Sequence, residues 1–135
     1  IDYKVNAPVD ADAFVALLRA STLAERRPVN DRECIEGMLR NSNLKVTAWD
    51  GPRLVGIARS VTDFHYACYL SDLAVDAAYQ RRGIGTRLQA ISQEQLGPLC
   101  KLILLAAPAA NAYYEHIGYS HNPRCWVLER GTQLR

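Results

Sequence analysis

No stretch of this 135-residue chain approaches the run of about 18 apolar residues that a membrane-crossing helix requires, so membrane insertion is not expected. No C-x-x-C pair occurs either. The four cysteines, at positions 34, 68, 100 and 125, stand far apart, which argues against a zinc site or a disulfide framework and predicts reduced, mostly buried thiols. Neither sign of charge is in surplus: 16 basic residues face 14 acidic ones, and a net charge of +2 implies no nucleic-acid partner without a local basic stripe. The opening stretch "IDYKVNAPVDADAF" has neither a basic n-region nor a continuous apolar h-region, so a cytoplasmic location is expected. Repeats and low-complexity tracts are absent as well. What is present is ordinary for a globular chain, with 49% hydrophobic and 22% charged residues, and the length suits one compact domain over residues 1–135.

The hydrophobic period changes several times along the chain. "DYKVN" alternates as a first strand. After Asp10 as N-cap, Phe14, Leu17 and Leu18 share a helical face, and after Asp31 so do Ile35, Met38 and Leu39. "LKVTAW", the turn "DGP" and "RLVGIARSV" read as a hairpin, which "ACYLSDLAV" extends as a third strand of a meander. Ile84, Leu88 and Ile91 then mark a helix that Gly97 and Pro98 end. "KLILLAA" is a continuous apolar run, expected as a central strand buried on both faces. A short helix carries "AANAYYEHI", Gly118 ends it, and "CWVLER" is expected to close the chain as a final strand. The order is β-α-α-β-β-β-α-β-α-β, an α/β chain of the α+β kind whose one strand-helix-strand crossover, residues 67 to 105, pairs two parallel strands.

Within that crossover, "AYQRRGIGTRL" sets two arginines and two glycines at a helix start. A helix N-terminus carries unpaired N–H groups and the positive end of the dipole, and glycine lets an anion approach the backbone. Gly83 and Gly85 supply that access, Arg81 and Arg82 add charge, and the anion that suits several convergent N–H groups is a phosphate or pyrophosphate. A Walker loop is excluded, because G-x-x-x-x-G-K-[ST] is missing, and G-x-G-x-x-G is not completed.

"LAVDAAYQRRGIGTRL" resembles the cofactor motif of the GNAT superfamily of acyl-CoA-dependent N-acetyltransferases, Q/R-x-x-G-x-G/A after a strand, and "APAANAYYEHIGY" resembles the superfamily's second signature. The element order matches from Ile1 to about Arg130. The resemblance implies a mixed, mostly antiparallel sheet flanked by helices and splayed between its fourth and fifth strands, where the pantetheine arm of acetyl-CoA slots in like an added strand. It assigns backbone groups of Leu73 and Val75 to the pantetheine. Gln80 and Arg82 belong to the motif, and N–H groups of Arg81, Gly83, Gly85 and Thr86 are assigned to the pyrophosphate. Many members carry asparagine seven residues before the signature tyrosine; this chain has Ala107 there, with Asn111 one turn later as a substitute.

Acetyl transfer to an amine needs a neutral nucleophile, yet an alkylamine with a pKa of about 10.4 is about 99.9% protonated at pH 7. Asp72 is the expected proton acceptor, with a water relay as the alternative: by the resemblance it matches an acid that polyamine-acetylating relatives use to contact the substrate amine, and its other reading is a structural hydrogen bond or ion pair; the glutamate slot of other relatives falls at about Tyr69. Tyr114 matches the donor that protonates the departing thiolate, and Tyr113 matches an apolar packing position. His65 and His116 are expected to be surface residues. Arg26 and Arg27, in "LAERRPVND" between the first two helices, are expected either to read a carboxylate on a small substrate or to be solvated charges. The acceptor is expected to be a small-molecule or peptide amine, and the protein a monomer or homodimer. Two other functions stay open: a catalytically silent acyl-CoA sensor, and an acetyltransferase acting on charged transfer RNA, which the near-neutral charge disfavours.

Overall fold

A computed structural model describes residues 1–135, which fall into two compact units, Ile1–Leu105 and Ala106–Arg135. The first holds every strand. In chain order it contains β1 (Asp2–Val5), α1 (Ala11–Ala20), a 3-10 turn (Leu23–Arg26), α2 (Arg32–Asn41), β2 (Leu44–Asp50), β3 (Arg53–Thr62), β4 (Ala67–Val75), a second 3-10 turn (Ala77–Tyr79), α3 (Ile84–Glu94) and β5 (Lys101–Ile103). The sheet order is β1-β2-β3-β4-β5, antiparallel through β4 and parallel between β4 and β5.

Both aspartates expected to start helices do so. Asp10 accepts the Ala13 N–H at 2.8 Å and Asp31 accepts the Cys34 N–H at 3.0 Å, each cap contributing about 1 kcal/mol. Phe14, Leu17 and Leu18 of α1, with Ile35 and Leu39 of α2, pack against Leu54, Ile57 and Ala74 on one sheet face. Ile84, Leu88 and Ile91 of α3 pack against Leu44, Val46, Ala58, Cys68 and Leu70 on the other. Gly56 lets α3 come this close, because a Cβ there would sit 3.0 Å from Leu88 Cδ1 and 3.2 Å from Ile84 Cγ2.

Two features of β4 prepare the site. Register steps from Arg59↔Asp72 to Ser60↔Leu70, so Ser71 is the extra residue of a β-bulge. An inserted residue inverts the alternation of side chains. Cys68 and Leu70 before the bulge therefore share the α3 face with Leu73 and Val75 after it, while Asp72 and Ala74 turn toward α1 and α2. Secondly, β4 meets β5 only at Ala67↔Lys101, Cys68↔Leu102 and Tyr69↔Ile103. Beyond Tyr69 the strands part, leaving the edge from Leu70 to Val75 without a neighbouring strand. This is the expected splay.

Three expectations need correction. The fifth strand spans three residues rather than seven and lies at the edge of the sheet rather than at its centre, where fewer neighbours cover its faces; it is not buried on both, and Ile103 is half-exposed. The expected last strand, residues 125 to 130, is irregular and exposed, since no ladder takes up its backbone groups. The cysteines are all free, yet only Cys68 is buried; Cys100 is half-buried, and Cys34 and Cys125 are exposed.

The second unit holds a 3-10 turn (Pro108–Ala110) running into α4 (Asn111–His116). Gly118, at φ +114°, turns the chain out of the helix, and the Tyr119 N–H returns to the Tyr114 carbonyl at 2.9 Å.

Candidate active site

The run from β4 into α3 is built by local hydrogen bonds. Asp76 sends its N–H to the Val55 carbonyl at 2.9 Å and accepts the Ala78 N–H on its side chain at 2.9 Å, which turns the chain out of the sheet. Gln80 ties back to the Val75 carbonyl at 3.0 Å. Arg81 and Gly83 then take left-handed backbone, at φ +64° and +78°, and α3 begins at Ile84. For arginine that conformation is uncommon and unfavourable without compensation, and such strain gathers at ligand sites. Left-handed residues just before a helix turn N–H groups toward one point, where the helix dipole adds its own positive potential. A Cβ on Gly83 would meet nothing within 4 Å, so the glycine faces open space. Arg81, Arg82, Gly83 and Thr86 are exposed and Gly85 is half-buried.

The loop is tethered to the β2–β3 hairpin by residues that sequence reasoning missed. The Tyr79 hydroxyl donates to Asp50 at 2.5 Å, a bond that raises the phenol pKa above its ordinary value. Two guanidiniums lie over the Tyr79 ring, Arg53 at 5.4 Å and Arg82 at 5.1 Å from its centroid, and Arg53 also pairs with Asp76 at 2.6 Å. Arg82 thus steadies the loop through Tyr79. The available signal was the Arg-Arg-Gly run close behind a tyrosine.

Asp72 is fully buried, and each of its oxygens meets an arginine Nε at 2.5 Å, Arg27 on one and Arg59 on the other. Arg59, 6% exposed, also donates to the Ser71 hydroxyl at 3.0 Å, the Met38 carbonyl at 3.2 Å and the Ser42 hydroxyl at 3.3 Å. Arg27, 21% exposed, comes from just after the first 3-10 turn and donates to the Ser71 carbonyl at 2.8 Å and to the Arg26 carbonyl at 2.9 Å. Nearby Lys45 donates to the Leu39 and Ser42 carbonyls, and burial, aided by the charge of Arg59, pushes its pKa down. Of the two roles open to Asp72, these surroundings supply the ion pair. Arg59 was missed; its signal is a lone charge in the apolar run "LVGIARSV", placed by register opposite Asp72.

The remaining expected residues distribute as follows. Leu73 and Val75 pair with Ala58 and Gly56 of β3 and lie on the stretch of β4 whose other edge has no strand beside it. Arg26 is exposed, as are His65 and His116. In the second unit, Asn111 opens α4 and Tyr114 lies on the same helix, its ring edge-on to Tyr113 at 5.1 Å and to Tyr119 at 5.4 Å.

Comparison with known proteins agrees with this geometry. The family model for the acetyltransferase (GNAT) domain matches residues 42–121. A protein of Prochlorococcus marinus described as an uncharacterized N-acetyltransferase, ycf52-like, is 30% identical over 105 residues; the match covers 73% of this chain, which spans 57% of that relative's length. Among solved structures, a GNAT-family acetyltransferase from Streptococcus pneumoniae is 22% identical with a TM-score of 0.70, the match covering 96% of this chain and 98% of that one. An aminoglycoside N-acetyltransferase in complex with CoA is 14% identical with a TM-score of 0.72, covering 97% and 95%. Both share the fold. A sheet parted after Tyr69, a left-handed loop at the head of α3 and a family match over more than half the residues place this chain in the GNAT acetyltransferase family.

Proposed function

We propose that the chain transfers an acetyl group from acetyl-CoA to a primary amine of a small-molecule or peptide acceptor by direct attack. The observation that carries this reading is continuity: the bare edge of β4 from Leu70 to Val75 runs straight into the loop of Arg81 and Gly83. A thioester cofactor supplies an activated acyl group. Backbone groups of Leu73 and Val75 are the ones to hold its pantetheine arm as a strand would. Arg81, Gly83, Gly85 and Thr86 present N–H groups to the pyrophosphate, with Gln80 and Arg82 fixing the loop and Asn111 contributing from α4. Tyr114 acts as the general acid that protonates the leaving thiolate. Asp72 serves by holding Arg27 and Arg59, since both its oxygens are engaged, and the amine proton leaves through water.

Calorimetry with acetyl-CoA tests the cradle. Gly83→Val puts a branched side chain at φ +78° into the open space the pyrophosphate would fill, so affinity is expected to fall about tenfold or more while circular dichroism stays native. Unchanged affinity removes the cradle, and a parent protein without affinity overturns the function. Binding with no thiol release from any amine would instead favour a silent acyl-CoA sensor.

The tether gives a second expectation. Tyr79→Leu removes the ring under Arg53 and Arg82 and the bond to Asp50, so acetyl-CoA affinity should fall about threefold to tenfold with little change in melting temperature. Tyr79→Phe, which keeps the ring, should lie between. Equal affinities for all three proteins would show that the stack does not shape the loop.

A further inference from the structure

We propose that the acceptor carries a carboxylate near its amine and that Arg27 binds it; the inference rests on the acetyl transfer proposed above. Around Asp72 the charges do not cancel. One carboxylate is matched by two guanidiniums, and the Lys45 ammonium lies close enough to Arg59 to feel its charge. Arg59 is enclosed and spends its donors on Asp72, Ser71, Met38 and Ser42. The uncompensated positive charge therefore falls on Arg27, the more exposed of the two arginines.

Arg27 has donors left. Of its five N–H groups, Nε, one on Nη1 and one on Nη2 are engaged, on Asp72, the Arg26 carbonyl and the Ser71 carbonyl. Two remain, one on each Nη, and a guanidinium binds a carboxylate through such pairs. The group is also rigidly aimed, because Asp72 and Ser71 hold the planar head from a buried strand.

Its place on the fold makes this relevant to acetyl transfer. Ser71 lies two residues past Tyr69↔Ile103, the last pair before β4 and β5 part. With the pyrophosphate at the loop after Val75, an arm running back along β4 past Val75 and Leu73 brings its acyl end toward Ser71. An anion on Arg27 would thus sit beside the group being transferred. A polycationic acceptor would instead meet a surplus of its own sign, and Asp72, the carboxylate at this point, is already matched twice.

The test compares acceptors of the same skeleton. Glycine, phenylalanine, glutamate, lysine and γ-aminobutyrate are assayed against their amides and against kanamycin, reading thiol release, with calorimetry of the same amino acids in the absence of acetyl-CoA. At least one acid should exceed its amide in kcat/KM by about tenfold to a hundredfold. Arg27→Gln should erase that ratio by raising KM for the acid while the amide changes less than about threefold, and Arg27→Lys should restore part of it. This variant should fold, because it leaves Asp72 and Arg59 as a balanced pair. The inference is overturned if amides or kanamycin are preferred, if the ratio survives in Arg27→Gln, or if no carboxylate-bearing amine binds or reacts. A protein that binds amino acids through Arg27 but not acetyl-CoA overturns the proposed function and leaves the carboxylate site standing.

Discussion

Asp72→Asn is expected to lower stability by about 3 to 5 kcal/mol and the melting temperature by roughly 10 to 20 °C. The change is nearly isosteric, so packing is conserved and the effect is electrostatic. It leaves Arg27 and Arg59, each 2.5 Å from an Asp72 oxygen, facing one another across a neutral amide. Two guanidiniums with exposures of 21% and 6% cannot recover their hydration in place, and removing one partner of a buried pair costs more than the pair contributed. Arg27→Gln, which removes surplus charge, should cost markedly less than Asp72→Asn; that difference in thermal melts is the signature of the network. A variant that keeps its melting temperature and its acetyl-CoA affinity while turnover collapses would return Asp72 to the role of base.

Tyr114→Phe should leave the fold and acetyl-CoA affinity intact and lower kcat by at least roughly tenfold. General-acid catalysis typically contributes about a hundredfold to ten-thousandfold, and water replaces part of it. The ring stays edge-on to Tyr113 and Tyr119, so only the hydroxyl is lost. Full turnover in Tyr114→Phe together with loss in Tyr113→Phe would move the donor to the neighbouring tyrosine.

Much of the scaffold was legible because its signals are local. Asp10 and Asp31 cap within three residues, Gly51 and Pro52 form the hairpin turn, and Gly83 stands where a left-handed residue must precede α3. The features that were not legible depend on long-range pairing. Nothing in "YLSDLAV" announces that Ser71 is a bulge, because the bulge exists only relative to β3. Arg59 reads as an interruption of a strand until register sets it beside Asp72. Tyr79 reads as a loop aromatic until the hairpin brings Asp50 and Arg53 to it. The strand expected at residues 125 to 130 failed for the same reason in reverse: the apolar run of Cys125, Trp126, Val127 and Leu128 suggests a strand, but only a partner makes one.

The bare edge of β4 has a consequence of a different kind. A row of backbone donors and acceptors with no strand beside it is a template for any extended chain, including another copy of the same protein. Here the row is short, it is kinked by the bulge at Ser71, and the Ser71 carbonyl is capped by a charged side chain that an intruding strand would have to displace. Arg27, proposed above to bind the acceptor's carboxylate, would thus also act as a guard against aggregation. A ligand lying along the rest of the edge would complete the protection, so protein kept with its cofactor should resist self-association better than protein kept without it.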